Sequence, residues 1–266
     1  MCDAMSRTEP EDSARKDAHS ALRRALLTFV SGLPQAELAR FSEQLELVLA
    51  ASSAQELSAA AQRLFTAQPS WGYHAPLGLV RAIHHSLSEH TLSSASTVCG
   101  VERLVSLQGR KLILLSNHLS FSDAHVLQEL LRRGGLEREA ERLTVIAGPK
   151  VFDDPGRRLG SAAFGLIKTP QSQAYAVELA RLAQASIECA SERLELGDVL
   201  LIFPEGTRSR EQAMQPGLAA VARYFDPDAV LVPVALMGSQ HVMTCADDRL
   251  RRATVSLQLG EPIEAS

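Results

Sequence analysis

The chain has 266 residues, 45% hydrophobic and 22% charged, with a formal net charge of −4. This is the composition of an ordinary globular protein long enough to bury a real core. Its slight acidity excludes a general electrostatic pull towards nucleic acid, so any anion binding must be local. Cys2, Cys99, Cys189 and Cys245 lack metal-like spacing and read as free thiols of a reducing compartment, the cytoplasm.

Residues 1–17 are polar and charged, and are expected to form a disordered lead. From Ala18 to Phe65 apolar residues recur at helical spacing, first Leu22, Leu26, Phe29 and Val30, then Leu38, Phe41, Leu45 and Val48. Gly32 and Pro34 break this pattern into a helical hairpin, with Pro34 in the first turn of the second helix. Ser53 followed by Glu56 announces a third helix through a capping box. Residues 18–70 therefore read as an amino-terminal helical region. The segment "AQPSWGYHAPLG" reads as a linker or hinge, followed by a helix over Leu77 to Ser88.

From Val98 short apolar runs alternate with helical stretches. Strands are expected over Val98–Leu107, Lys111–Leu115, Leu143–Ala147, Gly165–Thr169, Val199–Phe203, Ala229–Leu236 and Thr254–Leu259, with helices over Asp123–Arg132 and Ala174–Leu194. The fold class is α/β, a sheet flanked by helices over residues 71–266, preceded by the small helical region. No run approaches the ~18 apolar residues of a spanning helix.

Two polar knots follow apolar strands, where α/β sheets gather their function. The first is "LILLSNHLSFSD", which sets His118 and Asp123 five positions apart. A carboxylate holding one imidazole nitrogen leaves the other free to accept a proton from a hydroxyl. The plainer reading is a helix start, with Ser120 as cap and Asp123 serving the backbone; one carboxylate can do both. A metal site from His118, Asp123 and His125 is weaker, since no further ligand pair has recognised spacing. The second knot is "VLLIFPEGTRSR", where Pro204 and Gly206 shape a turn and Arg208 offers a fork for phosphate or carboxylate. Arg210 adds charge, and Glu205 either orients Arg208 or anchors the turn. Taken alone, this stretch also fits a surface loop with a local ion pair. Lys150, Arg157, Arg158 and Lys168 lie between the knots, as an anionic lure or as solvated charges. Pro233 shapes the apolar strand "VLVPVAL". The absence of GxSxG, GxGxxG and GxxxxGK[ST] argues against α/β-hydrolase, dinucleotide and nucleotide chemistry.

In this order, "NHLSFSD", "FPEGTRS" and the later "VPV" strand resemble the glycerolipid acyltransferase superfamily, which includes the 1-acylglycerol-3-phosphate and glycerol-3-phosphate acyltransferases. The resemblance covers Val98 to Pro262 and implies His118 as general base, Asp123 as the holder of its tautomer, and backbone N–H groups near the histidine as oxyanion donors. It implies an acceptor site formed by Glu205, Gly206, Thr207 and Arg208, with Asn117, Ser120, Lys150 and Lys168 as further substrate contacts. Where many members carry an Arg in the middle block, this chain has "FGLIKTPQSQ", with Lys168 as the substitute charge. The implied donor is an acyl thioester of acyl-carrier protein or coenzyme A, with no cofactor. The implied acceptor bears phosphate or is a lipid, and "AGPKVFDDP" leans towards soluble glycerol-3-phosphate acyltransferases. Nucleic acid is not an expected partner. Peripheral contact with the inner membrane surface, through the helices before Val98, is left open, as are a non-catalytic lipid- or carrier-binding protein of the same fold and an acyltransferase with a non-glycerolipid acceptor, hydroxylated or amine.

Overall fold

A computed structural model describes residues 8–67, 70–170, 176–205, 226–244 and 247–264. In chain order the elements are α1 (Thr8–Phe29), α2 (Gln35–Ala51), α3 (Ala54–Phe65), β1 (Gly72–His74), α4 (Gly78–Thr91), β2 (Thr97–Cys99), α5 (Val101–Val105) and β3 (Lys111–Ser116). They continue with α6 (Asp123–Arg133), α7 (Glu137–Glu141), β4 (Leu143–Ala147), α8 (Lys150–Asp153), α9 (Pro155–Ser161) and β5 (Gly165–Lys168). The last are α10 (Ala176–Glu195), β6 (Val199–Ile202), β7 (Ala229–Met237), β8 (Ser256–Leu259) and β9 (Ile263–Glu264).

The strands form one sheet in the order β1-β5-β4-β6-β3-β7-β8-β2, with β9 also on β7. Its centre, β5 to β7, is parallel. Such strands are covered on both faces, which is why β6 reads Val-Leu-Leu-Ile and is buried throughout. Successive side chains alternate between the faces. Leu112 and Leu114 of β3 join the larger core with residues of α1 to α4 and α6. Ile113 joins a smaller core with Ala190 and Leu194 of α10.

The helical region shares this core. Leu22, Phe41 and Leu57 belong to the same cluster as Leu114 and Leu130. The Glu37 carboxylate of α2 pairs with His90 of α4 at 2.7 Å and with Arg252, which holds its carboxyl below the usual range chiefly through the His90 hydrogen bond. The capping box is present, with Ser53 Oγ accepting from Glu56 N at 3.2 Å and the Glu56 carboxylate accepting from Ser53 N at 2.9 Å. Ser53→Ala should cost about 1 kcal/mol, read as a fall of roughly 2–4 °C in Tm by calorimetry.

Four expectations change. First, α1 begins at Thr8, so residues 8–17 are helical rather than a disordered lead; residues 1–7 lie outside the described part. Second, Pro34 is the N-cap of α2, one position before its first turn. Third, the expected linker contains β1, an antiparallel edge strand on β5. Fourth, the strand expected over 98–107 is β2 followed by α5. Gly100 breaks it with a φ of 82°, and a Cβ there would stand 2.5 Å from Leu259 O. Pro233 sits where β7 changes partner, between its β9 contacts at 230–231 and its β8 contacts from Val234. Its carbonyl accepts from Gly260 N at 2.7 Å on that side, so its missing N–H falls at the break between ladders.

Candidate active site

The chain leaves the adjacent strands β3 and β6 in opposite directions, from β3 to β4 and from β6 to β7. A crevice at their carboxyl ends is the consequence. The shared ladder closes at Leu115 and Ile202, and both knots begin just beyond it.

Asn117 governs how the chain departs. Its Nδ2 donates to Leu236 O at 2.9 Å and its Oδ1 accepts from Leu236 N at 2.7 Å, as a peptide group would. Pairing with β7 therefore continues through a side chain while the backbone turns away. Both amide atoms point to a role in framing the turn. The Ser120 side chain is likewise internal: fully buried, its Oγ pairs with Ser122 Oγ at 2.7 Å and accepts from Ser122 N at 3.0 Å. The helix α6 starts later than a Ser120 cap implies, at Asp123 with Ser122 as N-cap.

Asp123 is 0% exposed, and its Oδ2 gathers three donors. These are Leu119 N at 2.6 Å, Ser120 N at 2.9 Å and His118 Nδ1 at 2.8 Å. A carboxylate only accepts, so Nδ1 carries the proton and Nε2 is left with its lone pair, a tautomer assigned from the partner. The imidazole stacks on Phe203, with centroids 4.3 Å apart and planes at 24°. Glu205 Oε2 accepts from His118 N at 3.3 Å. Glu205 thus anchors the backbone of the first knot from the second. The expected double role as cap and orienter changes: Asp123 is the first residue of α6, whose N-cap Ser122 makes no side-chain cap bond, and its carboxylate closes the preceding turn while it holds the ring.

These bonds also bear on the implied oxyanion donors. The N–H groups of His118, Leu119 and Ser120 are committed to Glu205 and Asp123, so they do not form an oxyanion hole in this arrangement.

His118 lines a cavity of about 890 Å³ whose wall is mostly aliphatic and aromatic, running beneath α1, α4, α6 and α9. Lys150, Arg157, Phe203 and Glu205 border the same space. Arg157 lies 3.6 Å over the Phe121 ring and pairs with Asp248 at 3.0 Å. Arg158 is spent elsewhere, donating to the carbonyls of Arg63, Leu64, Phe152 and Asp153. Lys168 is also set apart: its ammonium lies 4.9 Å from the Trp71 ring and 5.1 Å from the Phe152 ring, and burial pushes its pKa down. It stands on β5, three strands from β3, or roughly 14 Å at normal strand spacing. Gly206, Thr207, Arg208 and Arg210 lie outside the described residues, as do Cys2 and Cys245. Among the described residues no cluster of three metal-ligating side chains occurs.

The sequence model of the family described as Acyltransferase matches residues 96–237, more than half of the chain. This chain belongs to the acyltransferase family. The acyltransferase is also similar to the crystal structure of the 1-acyl-sn-glycerophosphate (LPA) acyltransferase PlsC from Thermotoga maritima, with a TM-score of 0.45 and 17% identity over 70% of this chain and 71% of that one. No curated protein matches the sequence. The family match spans β2 to β7, hence both knots and the His118–Asp123 dyad within the first. Among the described residues of the acyltransferase, no helix is long and apolar enough to cross a membrane.

Sequence reasoning missed two site features. Phe203 supplies a stacking floor for His118, and Arg157 braces Phe121 at the cavity wall. The first had a signal, an aromatic residue at the strand end preceding the Pro-Glu turn. The second depends on Asp248, about ninety positions away, and had none.

Proposed function

We propose that this acyltransferase moves a fatty acyl group from a thioester, of acyl-carrier protein or coenzyme A, to a hydroxyl of a glycerol-phosphate or lysophospholipid-type acceptor. One observation carries the reading: a buried carboxylate holds the imidazole of His118 in the wall of a largely apolar cavity. The cavity takes the acyl chain out of water. Nε2 of His118 accepts the proton of the acceptor hydroxyl while its oxygen attacks the thioester carbonyl. Asp123 supports the imidazolium that forms. Collapse of the tetrahedral intermediate expels the thiolate, which takes the proton back from His118, so no acyl-enzyme is needed. Lys150 and Arg157 put positive charge beside the cavity, where developing oxyanion charge and an acceptor phosphate both need it. By resemblance, Arg208 joins them.

The test is release of free thiol from a long-chain acyl thioester with a panel of acceptors. Release that requires glycerol 3-phosphate or a lysophospholipid, with an ester product seen by mass analysis, is the expected result. Release into water alone would make the protein a thioesterase. Tight binding without release would make it a lipid- or carrier-binding protein of this fold.

A further inference from the structure

Not all of the cavity wall is apolar. His84 of α4 lines the cavity and is buried, with 9% of its surface exposed, and its Nε2 has no hydrogen-bond partner among the described residues. Its ring meets that of His125 of α6 edge to face, with centroids 5.0 Å apart. His125 is already satisfied on one side, since its Nε2 donates to Gly160 O at 3.0 Å. Burial holds both imidazoles in the neutral form, pushing the pKa of His84 well below its ordinary value. The other hydroxyls of this stretch are also satisfied, because Ser88, Thr91 and Ser161 each donate to a carbonyl of their own helix. Around them stand Leu26, Val80, Ile83, Leu87 and Phe164. His84 Nε2 is therefore a buried polar atom left open in an aliphatic stretch of wall, apart from Arg157 Nε on the same cavity, and it costs free energy until something pairs with it.

We propose that the cavity selects an acyl chain bearing a hydroxyl group, and that His84 is the residue that reads it. This rests on the acyl-transfer reading above, which puts a chain in the cavity. A neutral imidazole nitrogen is a donor in one tautomer and an acceptor in the other, and a hydroxyl satisfies either. A carboxyl tail would need a cation, and the paired histidines are held uncharged. Water is a poorer match, because a buried water needs two to four polar partners and the neighbouring Ser88, Thr91 and Ser161 hydroxyls already donate to carbonyls. A hydroxyl carried on a hydrocarbon fits better, since the rest of the chain suits the aliphatic wall. His125 lies two residues after Asp123 on α6, and His84, His125 and His118 all line the one cavity.

The test uses the purified full chain with hexadecanoic acid and its monohydroxy isomers, substituted near the carboxyl end, in mid-chain and near the far end. Calorimetry should find one isomer bound about three- to tenfold more tightly than the parent acid, the range of one net hydrogen bond. His84→Phe should erase that preference while binding the parent acid at least as well, and His84→Gln should restore part of it. His84→Phe removes an unpaired buried atom, so its Tm should match or exceed that of the wild type. Equal or weaker binding of every hydroxylated isomer by the wild type overturns the proposal, whether or not the variants fold. So does a preference that survives in His84→Phe. The matching thioesters, assayed for kcat/KM, separate the two readings: binding preference without turnover sinks acyl transfer alone, and turnover without preference sinks the hydroxyl selection alone.

Discussion

His118→Ala should lower acyl transfer by about 10²- to 10⁴-fold, the usual contribution of a positioned general base. On the proposed mechanism the loss should fall on kcat, since that mechanism has the ring accept the hydroxyl proton and leaves chain binding to the apolar wall. Leu119 N and Ser120 N continue to hold Asp123 after the ring is gone, so the turn persists and the protein should unfold cooperatively. Asp123→Asn probes the other half of the dyad. Because three donors meet at one oxygen, an Asn here keeps its amide oxygen towards Leu119 N, Ser120 N and Nδ1–H. The change therefore preserves the tautomer and removes the negative charge that supports the imidazolium; transfer should fall, but by less than in His118→Ala. Steady-state kinetics with circular dichroism decides the matter. Unchanged transfer by a folded His118→Ala protein would remove His118 from the reaction.

The second large effect is on stability. Arg158 is buried, and its guanidinium closes off four carbonyls, from the end of α3 and from the α8–α9 corner. Arg158→Met leaves these acceptors without their charged donor, and hydrogen bonds to charged groups carry about 1.5–3 kcal/mol each, short of additive. A total near 3 kcal/mol is expected, or a Tm lower by roughly 6–12 °C at 2–4 °C per kcal/mol. Lysine should rescue little, because a point charge cannot span carbonyls arranged for a planar fork. The guanidinium does not border the cavity, so kcat below the transition should stay near wild type. A Tm within 2 °C of wild type, roughly 1 kcal/mol or less, would mean the carbonyls find other partners.

Much of this architecture was readable because buried parallel strands are written as unbroken apolar runs. Leu143–Ala147 appears as expected, and Lys111–Ser116 extends the expected strand by one residue. The features that escaped are those decided by distant partners or by a single backbone angle. The start of α1 carries charged residues and little apolar stripe, so periodicity is silent there although the chain is helical from Thr8. At Gly100 one left-handed residue converts an apparent strand into a strand and a helical turn. Within the site, the spacing of His118 and Asp123 offered both a cap and a dyad; the structure contains the dyad, and the same oxygen closes the turn before α6 instead of capping the helix. What spacing cannot show is where N–H groups are spent. Glu205, read as an acceptor contact or a turn anchor, takes the His118 amide, and Lys168, read as a substitute charge, is packed under Trp71 and Phe152.

The two margins of the sheet are its shortest main strands: β1 and β2 have three residues each, against nine in β7. An exposed strand edge is a template on which another chain can zip, and its hazard grows with its length and flatness. Here the long strand lies inside, and β1 runs antiparallel to the parallel block it borders. A newly made copy therefore presents its neighbours with little continuous edge to extend. Crowding many copies together should favour separate molecules over ribbons joined strand to strand.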